Sequence, residues 1–287
     1  DSELQVNEND TQIHIKGREF AYTIDRRTAL FTEMKFAGRE YLNHPMELNI
    51  WRAPTDNDMY IKAEWKKAHY DKAYTRAYTT EVVQGKHGVK IVSHASVVAE
   101  TVQKILDVTI TWKIDASGKI DADIEATKDG EFPDLPRFGV RMFLDKKLSD
   151  ARYFGMGPQE SYRDKHQAAS HGLYRANVGD LHEDYIRPQE NGSHYDCEYV
   201  ELNNSRYGIV ASAEKAFSFN ASYYTQEELE KKTHNYELIE SDSVVFCVDY
   251  ALNGIGSNSC GPVVLEQYRF DDVLFRFQFT LIPYVKG

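Results

Sequence analysis

Cysteine is scarce: Cys197, Cys247 and Cys260 are the only three in 287 residues. They are too few and too scattered for a disulfide framework. None lies in a CxxC or Cys/His pair at zinc-ligand spacing. Cys247 sits inside the apolar run VVFCVDY and reads as a small core hydrophobe. The low count fits a reducing compartment, so a cytoplasmic location is the expectation. Long apolar runs are missing as well. No stretch approaches the roughly 18 apolar residues of a membrane-spanning helix, and no signal peptide is visible. Basic residues are outnumbered, with Lys+Arg 34 against Asp+Glu 45 and a net charge of −11. Nucleic-acid binding needs clustered positive charge, so neither nucleic acid nor membrane is an expected partner. Familiar catalytic signatures are absent too. There is no GxSxG, and the ten histidines form no HExxH. The glycines of GMG at 155–157 are followed by Pro158 and by no helical apolar pattern, which excludes a phosphate loop.

What the chain has is alternation. In ILDVTITWKI, Val108, Ile110, Trp112 and Ile114 fall on one face, and Asp107, Thr109, Thr111 and Lys113 on the other. DASG (115–118) supplies a turn, and KIDADIEA resumes with Ile120, Ala122, Ile124 and Ala126 aligned. Two alternating runs around a glycine turn predict a hairpin. VLFRFQFTLI aligns Phe275, Phe277, Phe279 and Leu281 in the same way. Further strands are expected at 11–16, 20–24, 89–98, 138–144, 197–202, 207–213, 216–222 and 243–250. Helix signals are few. TQEELEKKTH (225–234) opens on a capping-box pattern, Thr225 with Glu228, and AEWKKAHYDKAY (63–74) reads as helical or irregular. The fold class is therefore all-β: a large antiparallel β-sandwich with one or two short surface helices, in a single domain over 1–287. Residues 1–10 read as a loose lead-in. The first residue is Asp1 rather than Met, so a piece of a longer polypeptide is expected.

Three polar clusters interrupt the alternation: WRAPTDND (51–58), GMGPQESYRD (155–164) and RPQENGSHYD (187–196). Each mixes carboxylates, amides, an arginine and an aromatic ring in what should be a loop, where sites on a rigid β scaffold usually lie. Arg52, Asp56, Asp58, Gln159, Glu160 and Asn191 are the candidate structural or sugar-contacting side chains. Asp56 and Asp58 are two apart. On a strand they would face one way, near the roughly 5 Å that a retaining glycosidase requires of its two carboxyl groups. Alternatively, Asp56 caps a turn and Asp58 pairs with Arg52. A fourth cluster, GIGSNSCGP (254–262), is rich in glycine and serine and uncharged.

In order and spacing, WRAPTDND, GMGPQESYRD, RPQENGSHYD, TQEELEKKTH and GIGSNSCGP resemble the C-terminal small-chain domain of glycoside hydrolase family 2 β-galactosidases. The opening REFAYTIDRRTALFTEMKFAGREYL is similar as well, so the resemblance runs from about residue 11 to 285. It implies a super-sandwich like that of galactose mutarotase, and a larger enzyme that hydrolyses terminal β-D-galactosyl bonds, as in lactose, with retention. It also implies that both catalytic glutamates lie on a (β/α)₈ barrel, a repeat this chain lacks. The chain is then expected to have no catalytic residue of its own and to be inactive alone. Its expected partners are the catalytic barrel portion and the β-galactoside, within an oligomeric enzyme. The family's magnesium and sodium belong to the catalytic portion, so no metal or cofactor is expected on this chain. In the family, the terminal block carries a tryptophan platform for the aglycone sugar. The matching position here is Cys260, whose thiol cannot stack on a pyranose, leaving Asn258 and Ser259 as polar contacts on that loop. Two other functions remain open. A stand-alone carbohydrate-binding or structural sandwich needs no catalytic pair, whereas an aldose epimerase needs a His acid and a Glu base, and no such pair can be matched here.

Overall fold

In the computed structural model, which describes residues 4–101, 104–256 and 264–287, the alternating runs become strands. Strands β1 (Gln5–Glu8), β2 (Gln12–Lys16), β3 (Phe20–Asp25), β4 (Leu30–Phe36) and β5 (Arg39–Glu40) form a small antiparallel meander. Then follow β6 (Leu42–Asn49), β7 (Tyr74–Gln84), β8 (Gly88–Val98), β9 (Leu106–Asp115), β10 (Ile120–Lys128) and β11 (Arg137–Asp145). The series closes with β12 (Asp150–Gly157), β13 (Ser170–Asn177), β14 (His194–Asn203), β15 (Tyr207–Ser222), β16 (Ser243–Leu252) and β17 (Leu274–Val285). Two short α-helices, α1 (Ile61–Lys67) and α2 (Gln226–Lys231), and five 3-10 turns complete the regular structure among the described residues.

The expected hairpin is present. Its register sets Trp112 opposite Ala122 and Ile110 opposite Ile124, and the turn is held by Asp115, whose Oδ1 accepts from the Ser117 and Lys119 amides. β17 then pairs with β10, and Phe275, Phe277, Phe279 and Leu281 are all buried.

The large sheet runs β13-β12-β14-β15-β17-β10-β9-β8-β7, and a second arm, β16-β11-β6, leaves it at β15. β15 makes the junction. Its first half, Tyr207 to Ser212, pairs with β17, and its second half, Ser218 to Ser222, pairs with β16. Between them Glu214, Lys215 and Ala216 are exposed. One strand thus belongs to both layers of the sandwich. The sequence pattern suggested two strands here because those exposed residues break the alternation, although the backbone remains extended.

A single hydrophobic core joins the small sheet to the large one. Phe31 of β4 meets Trp112 of β9 edge-on, with ring centroids 4.8 Å apart, and Trp112 in turn contacts Phe279 at 6.4 Å. The Trp112 indole N–H donates to Ala29 O at 2.8 Å, so the buried ring leaves no polar atom unmatched. Over residues 4–8 the expectation of a loose lead-in is corrected. Gln5–Glu8 is a paired strand in register with β2, and Leu4 joins the core.

Helix α2 begins where the capping box placed it. Thr225 Oγ accepts from the Glu228 amide at 3.1 Å. The Glu228 carboxylate does not reach back; it accepts from the Ile239 amide and pairs with Lys232. In the 63–74 segment, α1 ends at Lys67 and His69 adopts φ +60° before a single 3-10 turn, Tyr70–Lys72.

Candidate functional site

Three loops and one strand end, far apart in sequence, meet at one end of the sandwich. The chain leaves β6 through Trp51 and buries Arg52 completely. The Arg52 guanidinium holds Asp58 through Nε (3.2 Å) and Nη2 (2.7 Å). It also donates to the carbonyls of Asn253 and of Gly254 (3.2 Å), and lies over the Trp65 ring. Side-chain exposure of the pair is 0% and 2%, so solvent screens neither charge. Asp58 Oδ2 also accepts the Thr55 amide at 2.9 Å. Residues 56–58 therefore form a 3-10 turn rather than a strand. Asp56 is exposed while Asp58 is buried, and the pairing of two carboxylates on one face does not occur. Of the two readings of WRAPTDND, the ion pair of Arg52 with Asp58 is the one realised; the turn is capped by Asp58, not by Asp56. The Asp56 amide donates instead to Gln189 Oε1 at 2.8 Å, which ties the first cluster to the third.

The other candidates are built into similar ties. Glu160 is buried; its Oε1 accepts from Lys165 Nζ (2.9 Å) and from the Tyr185 hydroxyl, and its Oε2 from the Gly192 amide (2.8 Å). Asn191 bridges Glu183 N–H (3.0 Å) and Gln189 O (2.9 Å). Gly192 has φ +77°, and a Cβ there would lie 2.6 Å from Leu181 O, so only glycine fits this turn. Gln159 is exposed beside Pro158. Asp164, from the second cluster, accepts the amides of Ile255 (3.1 Å) and Gly256 (2.8 Å). Asn258, Ser259 and Cys260 lie outside the described residues.

A second buried ionic centre escaped the sequence reading. Arg137, at the start of β11, faces two carboxylates: Asp249 of β16 (3.2 and 3.1 Å) and Glu190 (3.4 and 3.3 Å). It also donates to Trp51 O at 3.3 Å. Asn220 donates to Glu190 Oε1 (3.2 Å) and to Asn191 O (2.6 Å). Burial pushes the Asp249 carboxyl up to about 7 against the pull of Arg137, and the Glu190 charge adds to the rise. Burial alone would lower Arg137, but the two carboxylates hold it well above its ordinary value. The available signal was a lone carboxylate in the apolar run VVFCVDY, which an interior strand tolerates only if a cation meets it. On α2, Glu230 accepts from the Trp51 indole at 3.0 Å, and Glu227 pairs with Arg141. The helix thereby clamps the start of the first cluster.

Between these loops lies a cavity of about 490 Å³, lined by Thr55, Asp56, Asn57, Gln167, Tyr185 and Gln189 among others. The bordering loops carry large exposed apolar side chains: Met59 (61%), Tyr60 (69%) and Ile186 (91%). Among the described residues, no group of three His, Cys, Asp or Glu side chains is arranged to hold a metal ion.

Comparison with known proteins adds the remaining observations. A family model described as "Beta galactosidase small chain" matches residues 16–281. A β-galactosidase of Actinobacillus pleuropneumoniae is 44% identical over 281 residues, covering 98% of this chain and 28% of the relative. One from Staphylococcus xylosus is 32% identical over 282 residues, with the same coverage of each. The chain thus spans little more than a quarter of the length of these relatives. Among solved structures, galactose 1-epimerase from Lactobacillus acidophilus NCFM aligns over 100% of this chain and 98% of its own, at TM-score 0.50 and 9% identity. That likeness is one of fold alone, and it agrees with the mutarotase-like sandwich expected from the sequence.

Proposed function

The chain belongs to the β-galactosidase small-chain family, and from that premise we propose that it is a non-catalytic domain of a larger, retaining β-galactosidase. The observation that carries this reading is coverage: relatives bearing that name match 98% of this chain with 28% of their own length. The chemistry of the loops supports it. Asp58, Glu160, Asp164, Glu190 and Asp249 are each held by a guanidinium, an ammonium or backbone amides. A retaining glycosidase needs a nucleophilic carboxylate and an acid facing one bond, and these groups are committed elsewhere. In this reading the two glutamates, with magnesium and sodium, belong to the catalytic portion in the cytoplasm. The exposed Met59, Tyr60 and Ile186 dock against that portion, because apolar side chains clustered on loops gain from being covered. Asn258, Ser259 and Cys260 are the residues this reading offers as aglycone contacts.

The test is complementation. The 287-residue chain alone should leave a nitrophenyl β-galactoside unhydrolysed, and mixing it with the remainder of the polypeptide should restore turnover. Sustained hydrolysis by the isolated chain would overturn the assignment.

A further inference from the structure

The centre built on Arg137 holds more negative charge than positive. All five N–H groups of the guanidinium have acceptors: Asp249 Oδ1 and Oδ2, Glu190 Oε1 and Oε2, and Trp51 O. One cation thus faces two carboxylates, and side-chain exposure is 2% for Arg137, 3% for Glu190 and 0% for Asp249. Among the described residues the neighbouring cations are already matched. Arg141, further along the same face of β11, is met by Glu47 and Glu227, and Arg52 by Asp58. In the second cluster Lys165 meets Glu160, and burial keeps the Tyr162 hydroxyl, which feels both Glu190 and Glu160, neutral. From β16 itself, the Cys247 thiol is neutral, pushed up to about 12 by burial. From β15 come the uncharged Ser218 and Asn220. A cavity of about 20 Å³ borders Arg137, Glu190, Asn220 and Cys247, with room for one water and not for a solvation shell.

A surplus charge in such a place is relieved by a proton, because two carboxylates sharing a buried site do not both ionise readily. Asp249 is the one that keeps it. Its oxygens accept from Arg137 alone among the described residues, whereas Glu190 also accepts from Asn220 Nδ2 (3.2 Å), a donor that favours its charged form. Asp249 is also fixed in place. It lies on β16 between β11 and β15, and Gly139 opposite leaves its carboxylate room, since a Cβ there would lie 2.6 Å from Oδ1. Glu190 belongs to a loop, and its own amide donates to Ala53 O at 3.1 Å. We propose that Asp249 holds a proton beside Arg137 and Glu190, and that losing it with rising pH drives the 187–193 loop away from β16 and from Trp51–Ala53. The sign follows from burial, which outweighs the pull of Arg137 and, with the Glu190 charge, pushes the Asp249 carboxyl from 3.8 up to about 7. Between those values the closed centre binds a proton that the opened one releases. The closed loop is therefore fully favoured below about pH 4 and loses ground as the pH rises through about 7. His194 pulls the other way, since burial lowers its pKa to about 4.

The experiment combines two NMR readouts on the 287-residue chain between about pH 5 and 8. One is the ¹³C shift of the Asp249 carboxyl carbon; the other is hydrogen exchange of the 187–193 amides, corrected for the intrinsic pH dependence of exchange. In the parent the carboxyl carbon should titrate near pH 7. Asp249→Asn leaves one cation facing one carboxylate, and Glu190→Gln does the same. The ratio of loop-opening constants, parent to Asp249→Asn, should rise by up to about tenfold per pH unit from about pH 5 to 7 and level off above, as one proton leaves per opening. Taking the ratio cancels the His194 contribution, which both proteins share. In Glu190→Gln the Asp249 carbon should titrate at least about one pH unit below the parent, because the like charge is gone. A merely structural tie would change opening by the same factor at every pH. The proposal falls if the Asp249 carbon of the parent titrates near the ordinary 3.8, or if the ratio is flat with pH. Glu190→Gln takes the place of Asp249→Asn in the ratio if the latter does not fold, and the parent's carboxyl titration needs neither variant.

Discussion

Replacing Arg52 by alanine removes the cation from a pair that water does not reach. Asp58 is left as a buried carboxylate whose remaining partner is the Thr55 amide, and the Asn253 and Gly254 carbonyls lose a shared donor. Breaking one side of a buried ion pair costs about 3–5 kcal/mol. The two abandoned carbonyls keep the expected loss at the upper end of that range, about 5 kcal/mol, because each unmatched buried acceptor adds to the cost. For a chain of this size, about 2 °C of melting temperature accompanies each kcal/mol, so Arg52→Ala should melt about 10 °C below the parent. Arg52→Lys should recover part of the loss by keeping the charge without the planar fork. The discriminating measurement is a double-mutant cycle by urea unfolding followed by circular dichroism. If the cost arises from the stranded carboxylate, Arg52→Met combined with Asp58→Asn should be more stable than Arg52→Met alone, with a coupling energy of about 2–3 kcal/mol. A single variant within about 1 kcal/mol of the parent, or a double variant no better than the single, would refute the lock.

Two further perturbations follow from the core and from burial. His194 is packed between the rings of Tyr153 and Phe219, its Nδ1 is 3.0 Å from Met156 O, and burial lowers its pKa from 6.5 to about 4. The unfolded chain therefore takes up its proton first. This contribution is fully present above pH 6.5 and declines as the pH falls to about 4, by about 3 kcal/mol in all. His194→Phe should flatten the pH dependence of the unfolding midpoint in that window, and an unchanged slope would show that His194 is not responsible. Trp112→Ala empties the contact between the small and large sheets and should cost about 3–5 kcal/mol, measured by urea unfolding. A loss below about 1 kcal/mol would mean that the two sheets do not depend on this ring.

The architecture was legible where one face of a strand is buried and the other wet. Residues 106–128 and 274–281 alternate cleanly because they lie in a sheet with one side against the core. Strand β7, YTRAYTTEVVQ, left no such mark. It is the last strand of its arm, largely exposed on both faces, so nothing in its composition had to alternate. GMGP read as loop, but β12 runs through Gly157. Gly155 serves close packing there, since a Cβ would lie 2.3 Å from Cys197 Sγ. At the site, the clusters declared themselves by composition, and the Arg52 pair could be named because Asp58 is six residues away. Arg137, Glu190 and Asp249 could not be joined in advance: the sequence separations within that centre are 53 and 112 residues, and only the tertiary fold makes them neighbours.

The position of β17 has a consequence for synthesis. Residues 274–285 lie in the middle of the large sheet, between β15 and β10, which are made of residues 207–222 and 120–128. A nascent chain emerging from the ribosome can close the hairpins of β7 to β10 and of β12 to β15 early, because their partners are near in sequence. It cannot join those two halves until residue 285 has been translated. Until then both leave an unpaired strand edge lined with buried-type residues, which is the kind of edge that pairs with the wrong chain. Deleting residues 280–285 would remove the pairing of β17 with β15 and with it the seam between the halves, and the expected product is an aggregate rather than a smaller domain.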